Sequence, residues 1–563
     1  MTERNEIHEL FSGVLSGRVN RRQLLERAAS LGIAVPGVLL MRASGASAQD
    51  ATPIANVATP TEGDATPAAT GGAAPKAGGS LRAIVVADPD SLDIHVTQLA
   101  QVRNMMESIY DTLTYLDAAD PTFAIKGRLS SGWTFTEPPK LDFKLQPGVK
   151  FHNGEDFTAD DVKFTIEYVK NPATNSPNVS VLTTVASVEV LDPLTARFNL
   201  TQPWPALPAD LTMIQIYCKT ATKESITTKP NGTGPFTWKE WIPGDHVTIA
   251  KNPAYWMPGL PYLDEIVFRP IKEKSTSLSV MEAGDADVFF TPELKDKKTI
   301  DGDAKLASIP SLLNDSGYVM YVNHNRAPMN DQNVRLAVMY AIDRQTYFDA
   351  FLAGQGVKNT SPWSKKNWAY SSINDTAFEY DLGKAKTYLE AACYKDGKKD
   401  GTQLAINIVY PKGYPEWKQG SEMFQAAMGE LGVDVKVEEL EVATWIDRIV
   451  KTDEHDLSWD YHFQRAVDPA WTLSLAFFYP PGAQNISRLK DDTLTDLIAK
   501  GGSELDQAKR KEYYAQFQAR WNEIGAGVIV GEFLLYHAVA ATVRGFATHP
   551  LFFQDFRTVW LDR

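Results

Sequence analysis

A single hydrophobic core cannot serve a chain of 563 residues, because cores stop growing at about 250 residues and longer chains divide. Two or more lobes are expected. From Gly79 onward short β-patterned runs alternate with helical ones, with no repeat of fixed period, which predicts an α/β or α+β architecture. Residues 81–86 read as an opening strand, and residues 101–113 as a helix with Val102, Met105, Met106 and Ile109 on one face. In the stretch 141–170, Leu141, Phe143 and Leu145 alternate, Pro147-Gly148 turns, Val149 and Phe151 resume the alternation, and Asn153-Gly154 is a tight-turn pair. Two short antiparallel strands are predicted there. Thr158, three residues before Asp161, then makes a capping-box start for a helix carrying Val162, Phe164, Ile166 and Val169. Asp331 caps a further helix with Val334, Ala337, Val338 and Ala341 inward and Arg335 on or near the opposite side. A helix over 419–431 ends at Gly432 and leads into a strand over 433–440.

The N-terminus bears on compartment. Arg21-Arg22-Gln23-Leu24-Leu25, the moderately apolar stretch 28–41 and Ala46-Ser47-Ala48 follow the order of a twin-arginine export signal, the alternative being an amphipathic helix with two surface arginines. Fourteen apolar residues interrupted by Pro36 fall short of the roughly 20 that span a bilayer. No cysteine follows to carry a lipid. Residues 49–78 are rich in Ala, Thr, Pro and Gly and read as a disordered tether, so an uncleaved signal holding the protein at the membrane stays open. The 56 basic and 70 acidic residues give a net charge of −14, and no basic run suggests a nucleic-acid groove. Cys218 and Cys393 allow at most one disulfide and exclude a cysteine-rich zinc site.

Long strings now resemble one family. Phe143-Lys144-Leu145-Gln146-Pro147-Gly148-Val149-Lys150-Phe151-His152-Asn153-Gly154, continuing through Phe157 to Phe164, is similar almost residue for residue to the signature of the family 5 extracellular solute-binding proteins, the dipeptide-, oligopeptide- and nickel-binding components of ABC importers. Gly232-Thr233-Gly234-Pro235-Phe236, Trp241 to Asp245, Asn252-Pro253-Ala254-Tyr255-Trp256, Asn323 with Met329 to Arg344, and Tyr380-Asp381 with Ala385-Lys386 and Leu389 extend the likeness across 79–563. The resemblance implies a periplasmic-binding-protein-like fold (class II, cluster C type) with two hinged lobes and a smaller insertion domain. By that likeness 1–48 is the signal, 49–78 the tether, and 79–123, 231–316 and 530–563 the first lobe. The insertion domain is 124–230, and the opposing lobe is 317–529. Crossing segments near 317–323 and 528–532 would be the hinge. A monomer is implied, whose partners are a peptide or other small-molecule ligand and an ABC permease and ATPase complex at the membrane surface. No cofactor, metal or nucleic acid is called for.

Family motifs specify the fold, so the cargo has to be sought in variable segments. Pro411 to Trp417 is a proline-rich turn at the end of the strand 404–409, where the family places cleft side chains. Tyr414 and Trp417 are the aromatic candidates there, with surface or core packing the alternative. In 459–471, peptide-binding relatives carry an Asp three positions before an acid-Pro pair, and it holds the peptide's amino group. Here the pair is Asp468-Pro469 and the earlier position is Arg465, a cationic fork suited to a carboxylate or phosphate. Arg465 either meets the ligand or pairs with Asp468 or Asp460. Trp459, His462, Gln464 and Trp471 share that segment, and His95 and Gln98 border the expected cleft floor. Metalloprotease, nucleophile-elbow, Walker and dinucleotide motifs are absent from the sequence, which disfavours an enzyme. Oligosaccharide or metal-chelate cargo, a sensory or chaperone subunit, and an extracytoplasmic hydrolase remain the alternatives.

Overall fold

In the computed structural model, residues 74–563 are described apart from 98–99, 118–119, 121–123, 138, 312–316, 353, 463–467, 471–484, 533–534 and 549–553. The signal and tether readings lie outside them. Three main sheets organise the rest, and the chain leaves and re-enters them in an order that fixes the cleft. A seven-stranded sheet runs Leu306–Ser311, Leu535–Ala540, Val288–Phe290, Ser80–Val85, Glu265–Pro270, His246–Lys251 and Phe236–Ile242. Only its central pairings, Ser80–Val85 with Val288–Phe290 and with Glu265–Pro270, are parallel. A four-stranded antiparallel sheet is built wholly within residues 130–200. A six-stranded sheet takes Val357–Lys358, Val528–Glu532, Gly317–Val322, Leu457–His462, Ala405–Pro411 and Asp434–Leu440 in that order. Each sheet has its own apolar core, and the largest gathers residues 318–530 around the six strands.

The quoted strings meet at one joint. The helix Ala100–Met106 stops earlier than the apolar pattern predicts, because the next backbone is taken by another partner: Gly234 N–H donates to Ile109 C=O at 2.9 Å and Phe236 N–H to Ser108 C=O at 3.0 Å. Ile109 remains fully buried although it is not helical. A Cβ on Gly232 would stand 2.0 Å from the Ile109 oxygen, so only glycine lets these backbones approach. His152 clamps the same turn, accepting from Gly232 N–H at Nδ1 (3.3 Å) and donating from Nε2 to Gly234 C=O (3.0 Å). Asn252 donates to that carbonyl as well, at 3.0 Å. Beneath them the fully buried Asp111 accepts from Trp256 Nε1 at 3.0 Å and Thr233 Oγ1 at 3.3 Å, and pairs with Arg557 at 3.3 Å.

Two expectations need correction. Lys140–Leu145 does pair as a strand, with Ser130–Glu137 and Thr195–Leu200, but Val149 and Phe151 form no second strand. Around Asn153-Gly154 there is only an isolated bridge between Lys150 and Asp156, because His152 is drawn away to the glycine turn. Arg335 is not on a solvent face of the helix Gln332–Tyr340. It is buried and donates to the carbonyls of Ile524, Gly525 and Met329, so the end of the helix Gln507–Ile524 solvates its charge. The capping box at Thr158 forms, with Thr158 N–H on Asp161 Oδ2 at 2.8 Å, and Asp331 caps its helix through Asn333 N–H at 2.8 Å. Cys218 and Cys393 are both free.

Gly232→Ala should cost about 3 kcal/mol or more, since the added methyl meets a backbone carbonyl. Gly148→Ala, strained at φ +75° but with open space around it, should cost about 1 kcal/mol. Urea unfolding followed at the first transition checks the contrast, and equal losses would contradict the tight crossing.

Candidate solute-binding cleft

Register alone lines up one edge of each large sheet. In the six-stranded sheet Pro411 pairs with Leu440, His462 and Glu532 both stand opposite Gly317, and Val357 stands opposite Glu532, so four strand ends and two starts share an edge. In the seven-stranded sheet Val85 pairs with Pro270, Phe290 with His537 and Ser311 with Leu535 along one edge. The chain passes between these edges twice, from Ser311 to Gly317 and from Glu532 to Leu535. Two carboxyl edges of parallel strands are thereby joined by two short connections, which is where open α/β sheets bind ligands and where lobes hinge.

The six-stranded edge is rich in aromatic and acidic groups. The helix Pro415–Glu430 starts four residues beyond Pro411, which puts Glu416 in its first turn, where a carboxylate suits the helix dipole. Tyr461 donates its hydroxyl to Glu416 Oε1 at 2.6 Å, and its ring lies 5.2 Å from that of Tyr318. Half-buried Tyr414 stacks on Trp417 with ring centres 4.0 Å apart, and Trp417 continues to Tyr461 at 4.6 Å. On the sheet's other face Glu532 is held by Asn359 Nδ2 at 2.9 Å, Ser364 Oγ at 2.8 Å and Lys365 N–H at 3.2 Å. Burial raises its pKa, against those three donors. It lines a small cavity, partly open to solvent, with Gly317, Val319, Trp363, Ile529 and Gly531, whose free space of about 10 Å³ has room for roughly one water, so the cavity is no seat for a whole peptide. One row inward Asp460 is fully buried, and burial pushes its carboxyl up to about 7 against the Tyr461 amide that donates to it at 2.8 Å.

Several of the residues singled out from sequence are placed in packing roles. Trp417 is completely buried in the large core, and Trp459 stacks on Tyr347 at 5.5 Å while donating to Ser421 Oγ at 2.8 Å. Neither faces open cleft: Trp417 lies on the inward face of the helix Pro415–Glu430, and the same helix covers Trp459 at Gly420. His95 is fully buried with both nitrogens engaged, one at 2.8 Å from Gln215 C=O and the other at 3.2 Å from Asn178 Nδ2. Burial lowers its pKa to about 4, so it packs as a neutral ring beside the insertion domain rather than on a cleft floor. Tyr414 keeps an accessible side. His462 is described by its backbone alone, at the end of its strand opposite Gly317, and Gln98, Gln464, Arg465 and Trp471 lie outside the described residues. Asp468, one alternative partner for Arg465, is held by both terminal nitrogens of Arg510. Sequence reading passed over Glu416, Tyr461 and Glu532. Glu532 was signalled by an acid closing the apolar run Val528 to Gly531.

The model of the bacterial extracellular solute-binding proteins, family 5, matches residues 124–484. The chain belongs to that family. Among curated relatives, a di/tripeptide-binding protein of Pseudomonas aeruginosa is 26% identical over 80% of this chain and 88% of its own length. A glutathione-binding protein of Pectobacterium atrosepticum is 25% identical over 69% and 75%. Among solved structures, the Helicobacter pylori periplasmic binding protein DppA in complex with the peptide STSA superposes with a TM-score of 0.67 at 26% identity, covering 87% of this chain and 99% of that one. Among the described residues of this family 5 protein, no helix is long and apolar enough to cross a membrane.

A buried acid with a raised pKa stabilises the fold most below its ordinary pKa, and that contribution is lost as pH rises through the raised value. Between pH 4 and 8 the wild type should therefore lose stability relative to Asp460→Asn. Paired thermal melts across that range check it, and parallel pH profiles would contradict a buried, protonated Asp460.

Proposed function

We propose that this chain captures a peptide or modified peptide between its two carboxyl edges and delivers it to the permease of an ABC importer. The observation that carries this is the pair of edges joined by the chain's two passages between them, after Ser311 and after Glu532, within a family of solute-binding proteins. Such a hinge lets one lobe close on a solute, and the closed form is what a permease recognises. The relatives' printed ligands, di- and tripeptides and glutathione, give the cargo class. Arg465 in place of the family's amine-binding acid favours a solute that offers a carboxylate there. Glutathione, a tripeptide with two carboxylates and a side-chain linkage, has that chemistry. The lobes in this reading are 79–123 with 231–316 and the chain after Glu532, against 317–532: the expected boundary at 529/530 and the expected hinge at 317–323 and 528–532 are corrected, because both segments are paired strands of the six-stranded sheet. Binding and release suffice for this task, and no covalent step is invoked.

Export is part of the same proposal. The twin-arginine run precedes an apolar stretch and a small-x-small site, and residues 49–78 tether the folded part to whatever holds the N-terminus.

A thermal-shift screen of the full chain against di- to pentapeptides, glutathione, oligosaccharides and metal chelates should give a rise of several degrees with the peptide or glutathione group alone, since a ligand that binds only the native state stabilises it. A rise only with oligosaccharides or chelates would reassign the cargo. Replacing Arg21 and Arg22 together by lysine should leave the protein in the cytoplasmic fraction. Undiminished export would reject the twin-arginine route.

A further inference from the structure

The insertion domain contributes nothing to the two sheet edges, yet it touches the opposing lobe. Trp204, just after the last strand of the four-stranded sheet, lies over bare backbone: a Cβ on Gly502 would stand 3.3 Å from Cζ3 of Trp204 and 3.7 Å from the Ala470 Cβ. Ala470 belongs to the apolar core of the insertion domain, although it follows the strand Leu457–His462 of the opposing lobe. Trp368 packs against the cores of both units. On the insertion side Trp204 donates Nε1–H to Asp210 Oδ2 at 2.7 Å. Asp210 is fully buried, and among the described residues its Oδ1 has no hydrogen-bond partner. On the lobe side Arg510 grips Asp468, with both side chains buried, and donates Nε–H to Gly501 C=O at 2.7 Å. Arg510 thus fixes Gly501, the neighbour of the Gly502 against which the tryptophan lies.

We propose that Trp204 and Asp210, seated on Gly502 and Ala470 beside the Asp468–Arg510 pair, form a clasp by which the insertion domain holds the lobes shut. The insertion domain is joined in sequence to the first lobe, so rotation about the two connections has to separate Trp204 from Gly502. An indole laid on glycine buries a large apolar surface while ordering no second side chain. The clasp also couples closure to a proton. Shut, it takes Asp210 out of water and sets it near the negative Asp468. Burial foremost and Asp468 next raise the Asp210 pKa well above the carboxylate range, against the Trp204 N–H and the charge of Arg510. Among the described residues, Asp468 and Arg510 are the charged groups that face it. Because the shut form binds the proton more tightly, closure is fully favoured below the ordinary carboxylate pKa and weakens as pH rises through the raised one. The proposal rests on the moving-lobe reading, not on the cargo.

The test is an electron spin-echo distance measurement on the full chain without ligand. One spin label sits on the exposed native Cys393 of the opposing lobe and one on Lys163→Cys, exposed on the insertion-domain helix Ala159–Lys170; buried Cys218 stays unlabelled. Wild type should show a main short-distance population at pH 5 that declines toward pH 8. Gly502→Leu, which drives a side chain into Trp204, should lose that population at every pH, and Trp204→Phe should reduce it in a variant less prone to misfold. Asp210→Asn should keep it through pH 8. A distribution that shifts with pH in the wild type but is unaltered by Gly502→Leu and Trp204→Phe overturns the clasp alone, and an Asp210→Asn profile matching the wild type overturns the proton coupling. One fixed distance in every variant overturns clasp and moving lobes together.

Discussion

Asp111, which pairs with Arg128 of the insertion domain at 3.8 Å, and the glycine turn that His152 of that domain clamps hold the first lobe and the insertion domain in one orientation. A fully buried carboxylate is tolerable only with several donors, and here Trp256, Thr233 and Arg557 supply them from three separate stretches of chain. Removing one of those stretches would leave a buried charge short of partners, so the joint forms as a whole or is strongly disfavoured. The glycines at 232 and 234 let the backbone of Ser108 and Ile109 complete the contact without side chains between. A rigid joint on this side is what allows Trp204 to act at a distance, since an insertion domain free to swivel could hold nothing shut.

The opposing lobe is pinned with comparable economy around its crossing strand. Arg335 donates to the carbonyls of Ile524 and Gly525, His324 meets the Ala526 carbonyl at 2.8 Å, and Arg344 donates to Ile529 C=O at 2.9 Å. At the far end Glu532 is fixed by Asn359, Ser364 and Lys365. Neither Arg335 nor Arg344 depends on a carboxylate in these bonds: backbone carbonyls solvate both charges, and burial lowers both pKa values to about 10, still well above neutral pH. The strand from Val528 to Glu532 is therefore a fixed part of its lobe.

Local features were legible in the sequence, and features closed by distant chain were not. The capping box at Thr158, the Asp331 cap and the inward faces of those helices depend on residues a few positions apart. Arg335 read as outward because the carbonyls that bury it lie about 190 residues away. Trp417 and Trp459 were offered as ligand contacts because residue type and strand-end position carry no information on which face a helix covers. His95 shows the same limit, with its acceptor at Gln215 reached only by folding. The family strings fared differently: they were long enough to identify the fold, and the structure shows many of their members closing the glycine joint rather than facing the cleft.

That division of labour explains how one architecture serves different cargoes. Residues that set the joint and the crossing strand are satisfied by protein partners, so a change in the ligand places no demand on them. The edge at Pro411, His462 and Glu532 is different: Tyr414 keeps an accessible side, and Glu416 and Tyr461 bond to each other at a helix start where the core meets the edge. In the proposed function a solute is then chosen by a few side chains on strand ends, while closure is supplied from elsewhere, by the connections between the lobes and by Trp204 on Gly502. Separating choice from closure has a cost, because a clasp that never touches the solute stabilises the shut form whether or not the cleft is filled. A buried acid such as Asp210 limits that cost, since burying its charge weakens the clasp enough for lobe opening to compete.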